Sequence, residues 1–233
     1  GAVSEVERLG GSLSDVTNII KGVGSALNRN LIIESSAVAD LFAAGEVTGE
    51  STEKLTKTFK QAGFSIYNVS KEIENIANTA RGLGLNTQAV SQKIMDNIGQ
   101  LNRFNFKGGI DGLSRMAAES TNLRVDMKTA MDLADKAFSP EGAIEITTAF
   151  QRLGATIPGL TDVNELMFNA RNNPERLQED LAEYAKTFAK MDENGDFKIM
   201  PGAVARMREI NSQLNLGQGF MQKLGIAGKE LEY

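Results

Sequence analysis

The chain has 233 residues, a net charge of −5 and an isoelectric point near 5.0, and it contains neither Cys nor His. Without these residues it has no thiol nucleophile, no Cys or His zinc site and no side chain that ordinarily titrates near neutral pH. Its apolar residues, 41% of the total, are mostly Ala, Leu, Ile, Val and Met, and Trp is absent. This composition favours helices, and the length suits one large domain or two small ones.

Acidic residues are concentrated in the first 50 positions, which hold seven Asp or Glu against three Lys or Arg. We interpret residues 1–50 as an N-terminal acidic helical segment, with a boundary near Gly45–Glu50, and residues 51–233 as a compact helical domain. No dense Lys/Arg cluster indicates direct nucleic-acid binding, and no apolar run is long enough to be a membrane segment. A signal peptide is not visible, and the start at Gly1 indicates a processed product or a fragment.

Two helices are predicted in the acidic segment. Apolar residues at helical spacing predict one long helix through Val16, Ile20, Val23 and Leu27. Glycines at positions 10, 11, 22 and 24 weaken this helix, by about 1 kcal/mol each relative to Ala. A second, short helix is predicted near residues 36–44.

A repeated signature ends one helix and begins the next. An apolar residue precedes a Gly or its substitute, a second apolar residue follows, and a residue able to cap the next helix comes last. The glycine position of the five corners is occupied by Gly63, Gly84, Arg124, Gly154 and Asn215. The corners are irregularly spaced, which favours closely packed helices over a degenerate helical repeat, the alternative interpretation.

Capping residues and apolar stripes predict the remaining helices. Ser51, Ser139 before Pro140, Thr161-Asp162, and Asn173 before Pro174 are predicted helix starts. Apolar stripes predict helices over residues 87–102 and 175–189, and residues 109–121 and 126–138 are predicted to form an antiparallel pair. We therefore predict an all-α fold of many helices joined by tight Gly-containing corners, with one short β-hairpin near 189–199.

The hairpin is predicted from Asn194-Gly195, which lies between two short alternating segments. A two-residue turn would place Met191 on the face opposite Phe197 and Ile199. A three-residue loop, 193–195, instead pairs Met191 with Phe197 and Ala189 with Ile199, which collects the apolar side chains on one face. We expect this second register, with a bulge at Gly195 and the like-charge pairs Asp192/Asp196 and Lys190/Lys198 in solvent.

The same segment is the only candidate metal site in the sequence. Asp192, Asn194 and Asp196 have the spacing of the first three ligands of a calcium loop, but Phe197 and Ala203 stand where that loop needs Gly and Glu. A plain hairpin is therefore favoured over calcium binding. Carboxylates elsewhere, at positions 72, 74, 179, 180 and 183, have the spacing of solvated helix faces with Lys or Arg partners. We predict no catalytic, cofactor-binding or metal-binding residues and no enzymatic activity.

Residues 54–225 contain, in order, phrases that resemble segments of bacteriophage tail tape-measure proteins. The phrases are Gln61–Phe64, Lys93–Asn97, Leu101–Phe106, Gly112–Ala118 and Phe150–Gly154, followed by the Asn173-Pro174 helix start, the acidic Asn-Gly hairpin and Met207–Ile210. The resemblance covers about three quarters of the chain. It implies a structural virion protein that occupies the tail lumen, sets tail length and is released during genome ejection.

The resemblance also implies partners and a location. The partners would be other tail proteins (tail tube, tail tip or baseplate) and further copies of the chain in a homo-oligomer, and the protein would be made in the bacterial host cytoplasm and reside in the virion tail interior. A ruler is expected to be long continuous helix with heptads, whereas the corners predict a folded end or middle piece. The alternative is a non-catalytic helical adaptor or cargo module, packaged in the virion or acting in the host cytoplasm.

Overall fold

The structure is a computed structural model that describes residues 1–27, 35–65 and 68–233. The described residues form fourteen α-helices and one two-stranded antiparallel sheet, which confirms the predicted all-α class with a short hairpin. They divide into two compact units, Gly1–Arg103 (unit 1) and Phe104–Tyr233 (unit 2). The boundary predicted near Gly45–Glu50 lies within unit 1, where the third helix ends and the fourth begins.

Unit 1 contains six α-helices and one 3-10 helix in its described residues. They are α1 (Ala2–Arg8), α2 (Leu13–Leu27), α3 (Ser35–Thr48), α4 (Thr52–Gln61), α5 (Val69–Gly82), α6 (Thr87–Asn97) and the 3-10 helix (Ile98–Asn102). Helix α2 packs on α4, and α3 packs on α1 and α5. Arg29 and Glu34, counted in the acidic segment, lie outside the described residues.

The predicted helix through Val16 is present as α2, but its buried stripe is Val16, Ile19 and Val23. Ile20, which was predicted in the stripe, is 40% exposed. The short helix predicted near 36–44 is present as the longer α3. Gly10 and Gly11 end α1 instead of weakening a longer helix: Gly10 has φ +92°, and the N–H of Gly11 donates to the carbonyl of Val6 (2.9 Å).

Unit 2 contains eight α-helices and the hairpin. They are α7 (Ile110–Asn122), α8 (Met127–Lys136), α9 (Pro140–Arg152), α10 (Pro158–Thr161), α11 (Val163–Asn172), α12 (Pro174–Lys186), β1 (Ala189–Met191), β2 (Phe197–Ile199), α13 (Pro201–Gln213) and α14 (Phe220–Leu231). Helix α12 is central, because it packs on α7, α8, α10, α11 and α14, and the hairpin packs on α14. Phe150, Tyr184 and Phe188 stack edge to face inside this unit.

All five predicted corners are present with the same backbone geometry. The glycine position has positive φ at each one, from +54° at Asn215 to +88° at Gly63. The residue after it donates its N–H to the carbonyl five positions earlier, as Leu85 does to Ala80 (2.8 Å) and Val125 does to Ser120 (3.0 Å). This hydrogen bond is the defining bond of the Schellman motif, so these helices end at the predicted places.

The predicted helix starts differ in how they are capped. Ser51, Ser139 and Asp162 each accept a hydrogen bond from a backbone N–H in the first turn, at 2.8–3.2 Å. Asn173 precedes α12 as predicted but makes no capping bond. Its amide nitrogen instead donates to the carboxylate of Glu175, at 2.8 and 3.1 Å, once the amide is oriented to satisfy both groups. None of the helices in the described residues has the length and apolar character needed to span a bilayer.

Candidate functional site

The hairpin has the predicted register, with Ala189 opposite Ile199, Lys190 opposite Lys198 and Met191 opposite Phe197. Gly195 takes φ +83°, which the bulged three-residue loop requires. The N–H of Asp192 donates to the carbonyl of Asp196 (2.8 Å) and closes the loop. The hairpin therefore has the three-residue loop that was predicted and not the two-residue turn.

The carboxylate of Asp192 serves the hairpin itself. Its Oδ1 accepts from the backbone N–H groups of Asn194 (2.9 Å) and Asp196 (3.0 Å), and its Oδ2 lies 2.6 Å from Nζ of Lys198. The pKa of Asp192 is lowered, first by Lys198 and then by the N–H of Asp196. Asp192 is half-buried rather than in solvent as predicted, because it turns into the loop. In the part of the chain that the structure describes, no three acidic side chains are grouped to hold a metal ion.

Sequence reasoning missed a set of buried carboxylates on and beside α12. Glu175 is 3% exposed and Asp180 is 2% exposed, although residues 179, 180 and 183 were all predicted to be solvated. Glu179 and Glu183 do have exposed side chains. The prediction is therefore wrong for Asp180 alone of these three. Buried carboxylates with shifted pKa values are typical of functional sites, so each of these acids is a candidate.

Glu175 joins the start of α12 to the chain before α7. Its Oε1 accepts from the backbone N–H of Lys107 (3.2 Å) and lies 3.4 Å from Nη2 of Arg115. Burial raises the pKa of Glu175, against the opposing effect of these donors. A Cβ on Gly112 would lie 2.8 Å from Oε1 of Glu175 and 2.6 Å from the carbonyl oxygen of Lys107. Glu175 thus occupies space that only glycine leaves open on α7.

Asp180 faces the short helix α10, which was not predicted. Its Oδ1 lies 3.1 Å from Nε of Arg176, one turn earlier on α12. A Cβ on Gly159 of α10 would overlap its Oδ2. Burial raises the pKa of Asp180 to about 6, partly offset by Arg176. This carboxylate therefore fills the close approach of α10 to α12.

Glu119 on α7 also has a raised pKa. Burial raises the pKa of its carboxyl to about 7, the charge of Glu179 raises it further, and a hydrogen bond with Gln178 lowers it. The amide of Gln178 also donates to the carbonyl of Met116 (3.1 Å), while its Oε1 is buried without a hydrogen-bond partner among the described residues. Glu119 and Gln178 form a polar contact where α7 packs on α12.

The partners of these acids are a backbone N–H, two arginines, Asn173 and Gln178. Glu119 and Glu175 thereby join α12 to α7 and to the chain before it, whereas Asp180 pairs within α12 and packs closely against α10. Among the residues that the structure describes, none of the contacts given above for Glu119, Glu175 and Asp180 is with a hydroxyl group or a lysine amine. A weak sequence signal did exist. Residues 178 and 180 are the sequence neighbours of Leu177 and Leu181, which are both fully buried. Because other helices cover α12 on several sides, residues beside its apolar stripe are buried as well.

Comparisons with known proteins do not identify the chain. No family model matches it, and no curated protein or solved structure was found to be similar to it.

Proposed function

We propose that the chain is a non-catalytic structural segment of a phage virion, of the tail tape-measure type. The structural part of this proposal rests on one observation, which is that the buried carboxylates contact groups of the helical packing. Glu119 contacts Gln178 of α12, and Glu175 accepts from the N–H of Lys107 before α7, so both join neighbouring helices. Asp180 pairs with Arg176 on its own helix and fills the close approach of α10 to α12. The tail assignment is supported by the resemblance over residues 54–225. Its partners would be tail tube, tail tip or baseplate proteins, with further copies of the chain.

Helix length bears on which part of such a protein this segment represents. The longest helix among the described residues, α2, has 15 residues and is therefore about 22 Å long. A ruler made of continuous helix needs much longer elements. We therefore propose that this segment is a folded end or middle piece, which docks at the tail tip or is carried with the ruler and ejected.

Mass spectrometry of purified particles of the virus that encodes the chain tests the virion assignment. Tryptic peptides 137–152 and 153–171 have no internal Lys or Arg and are suitable markers. We expect both peptides in filled particles, at a constant ratio to the tail-tube protein, and their loss after genome release. Their absence from filled particles would overturn the proposal.

Tail length tests the folded-piece assignment separately. An in-frame duplication of residues 104–233 is expected to leave tail length unchanged by electron microscopy, because a folded piece adds little length to a ruler. Tails that lengthen in proportion to the added residues would mean that this segment is part of the ruler.

One observation favours the alternative, a helical adaptor or cargo module. Phe168 on α11 and Ile144 on α9 are 62% and 52% exposed, so unit 2 carries large apolar side chains in solvent. Recovery of peptides 137–152 and 153–171 from the host cytoplasm, without any in particles, would favour the adaptor.

A further inference from the structure

Helices α13 and α14 border an open cleft of about 810 Å³ beside the corner that joins them. This volume lies within the range of about 300–1,000 Å³ that is typical of small-molecule sites. The ionisable residues that line it are Arg208 on α13 and Lys223 on α14, and no acidic residue lines it. The cleft is therefore a positive cavity in a chain whose net charge is −5.

Neither cation has a carboxylate partner among the described residues. Other cations near these two helices do: Arg152 contacts Glu209 on α13 at 2.5 Å, and Lys229 on α14 contacts Glu232 at 3.2 Å. In an acidic protein, two unpaired cations that line one cavity create a local potential that attracts anions.

The polar floor of the cleft presents donors. Asn211 is buried, its Oδ1 accepts from the N–H of Met221 (3.0 Å), and its Nδ2 donates to Oε1 of Gln222 (2.7 Å). Both Asn211 groups and the Gln222 oxygen are thus engaged, so the Gln222 amide nitrogen remains as a donor. This donor, beside Arg208 and Lys223, suits an anion.

Apolar groups border the same cavity. Val204 is 36% exposed, and Ile226 is half-buried. They offer contact to an uncharged organic group, whereas Arg208 offers a planar fork of N–H donors and Lys223 a point charge. This combination fits a doubly charged tetrahedral anion that is attached to an apolar or aromatic group.

We propose that the cleft between α13 and α14 binds a small phosphomonoester, whose phosphate contacts Arg208, Lys223 and Gln222 and whose organic group contacts Val204 and Ile226. The first turn of α14 borders the cleft and contains no acidic residue, so the positive end of the helix adds to the attraction. The site does not depend on the proposed role in the virion.

The test is an NMR titration of the full-length ¹⁵N-labelled chain at constant ionic strength, with phenyl phosphate and with inorganic phosphate as probes. We expect saturable shifts for residues 204–226 with phenyl phosphate, and weaker binding of inorganic phosphate. Arg208→Gln and Lys223→Gln should each weaken phenyl phosphate binding by roughly tenfold or more, because each removes a charge-assisted contact. Both residues are exposed, so folding should persist, and thermal melts verify it.

Arg206→Gln is the matched control, because it removes the same charge from the same helix at a position that does not line the cleft. It should leave the affinity unchanged. The proposal is overturned by unchanged affinity in the Arg208→Gln, Lys223→Gln double variant, by equal weakening in the control, or by no saturable shift with phenyl phosphate. Inorganic phosphate that binds as tightly as phenyl phosphate would overturn the assignment to an organic phosphate.

Discussion

The carboxyl of Glu119 makes the stability of unit 2 depend on pH. Its pKa is raised by burial from 4.5 to about 7, and that of Asp180 is raised from 3.8 to about 6. Between the two values of each group, the folded chain holds a proton that the unfolded chain has released. The free energy of unfolding therefore falls as pH rises through this interval, and the stabilisation is fully present only below the unfolded pKa values.

We predict that Glu119→Gln raises the free energy of unfolding at pH 8 by about 1–3 kcal/mol, since it removes a charge that burial disfavours. The difference from the unsubstituted chain should shrink towards pH 4.5, where the carboxyl is protonated in the folded state. Urea denaturation at pH 5 and at pH 8 measures both effects.

Glu193→Gln is the control for this prediction, because Glu193 is exposed in the hairpin loop. It should change stability little at either pH. An unchanged pH dependence in Glu119→Gln would show that Glu119 is not protonated in the folded chain near neutral pH.

The buried acids show where residue-level prediction fails. The partners Arg115 and the N–H of Lys107 lie outside α12, so helical spacing along α12 cannot specify the contacts of Glu175. Spacing does specify the pairing of Asp180 with Arg176, but it does not reveal the close approach of Gly159 that buries Asp180. The Asp192 loop was easier to interpret, because each group that its carboxylate contacts lies within six residues.

At the scale of elements, the α12–α14 contact depends on small residues. A Cβ on Gly225 would lie 2.6 Å from the carbonyl oxygen of Ala185, and one on Gly228 would lie 3.5 Å from Cβ of Lys186. Both glycines are buried in the middle of α14, where glycine itself disfavours helix. The close approach of the two backbones explains why Gly225 is accommodated there.

Gly225→Ala is expected to lower the free energy of unfolding by about 1–3 kcal/mol, because overpacking outweighs the gain of up to about 1 kcal/mol in helix propensity. Gly202→Ala on α13 is the matched control, since a Cβ there has no heavy atom within 4 Å. This control should be neutral or slightly stabilising in the same chemical denaturation. Equal stability of the two variants would mean that α14 can shift away from α12 without a loss of stability.

Local sequence signals predicted the helices well where the residues that end one helix and cap the next are adjacent in the chain. Arg124 and Asn215 adopt positive φ although neither is glycine, and the flanking apolar residues were enough to predict both corners. The end of α1 at Gly10 was missed because no apolar residue follows the glycine there. The four-residue α10 was missed because its N-cap residue, Ile157, has no side chain that can cap a helix. The α2 stripe was misplaced at Ile20 because Ile19 and Ile20 are equally apolar, and only packing on the neighbouring helices of unit 1 distinguishes them.

At the scale of the whole molecule, the boundary between the two compact units differs from the predicted domain boundary. Unit 2 begins at Phe104, whereas the charge and helix pattern predicted a domain that begins at residue 51. Unit 2 has its own apolar core, in which Phe104 stacks on Phe138 (5.3 Å) and Phe150 stacks on Tyr184 (5.4 Å). A chain of its length can bury about two thirds of the surface it exposes when unfolded.

We therefore predict that residues 104–233, expressed alone, fold cooperatively, with a single thermal transition and with the amide NMR spectrum that these residues have in the full chain. Limited trypsin digestion should release the same fragment, because Arg103 is exposed at the boundary.

Residues 51–233 provide the comparison. If this longer chain melts in one sharp transition while 104–233 is molten or aggregates, the domain begins at residue 51 and the compact unit is not autonomous. Two separate thermal transitions in residues 51–233, one of which matches that of residues 104–233, would instead place the domain boundary at Arg103. Duplications and deletions for the virion tests would then be made at that boundary.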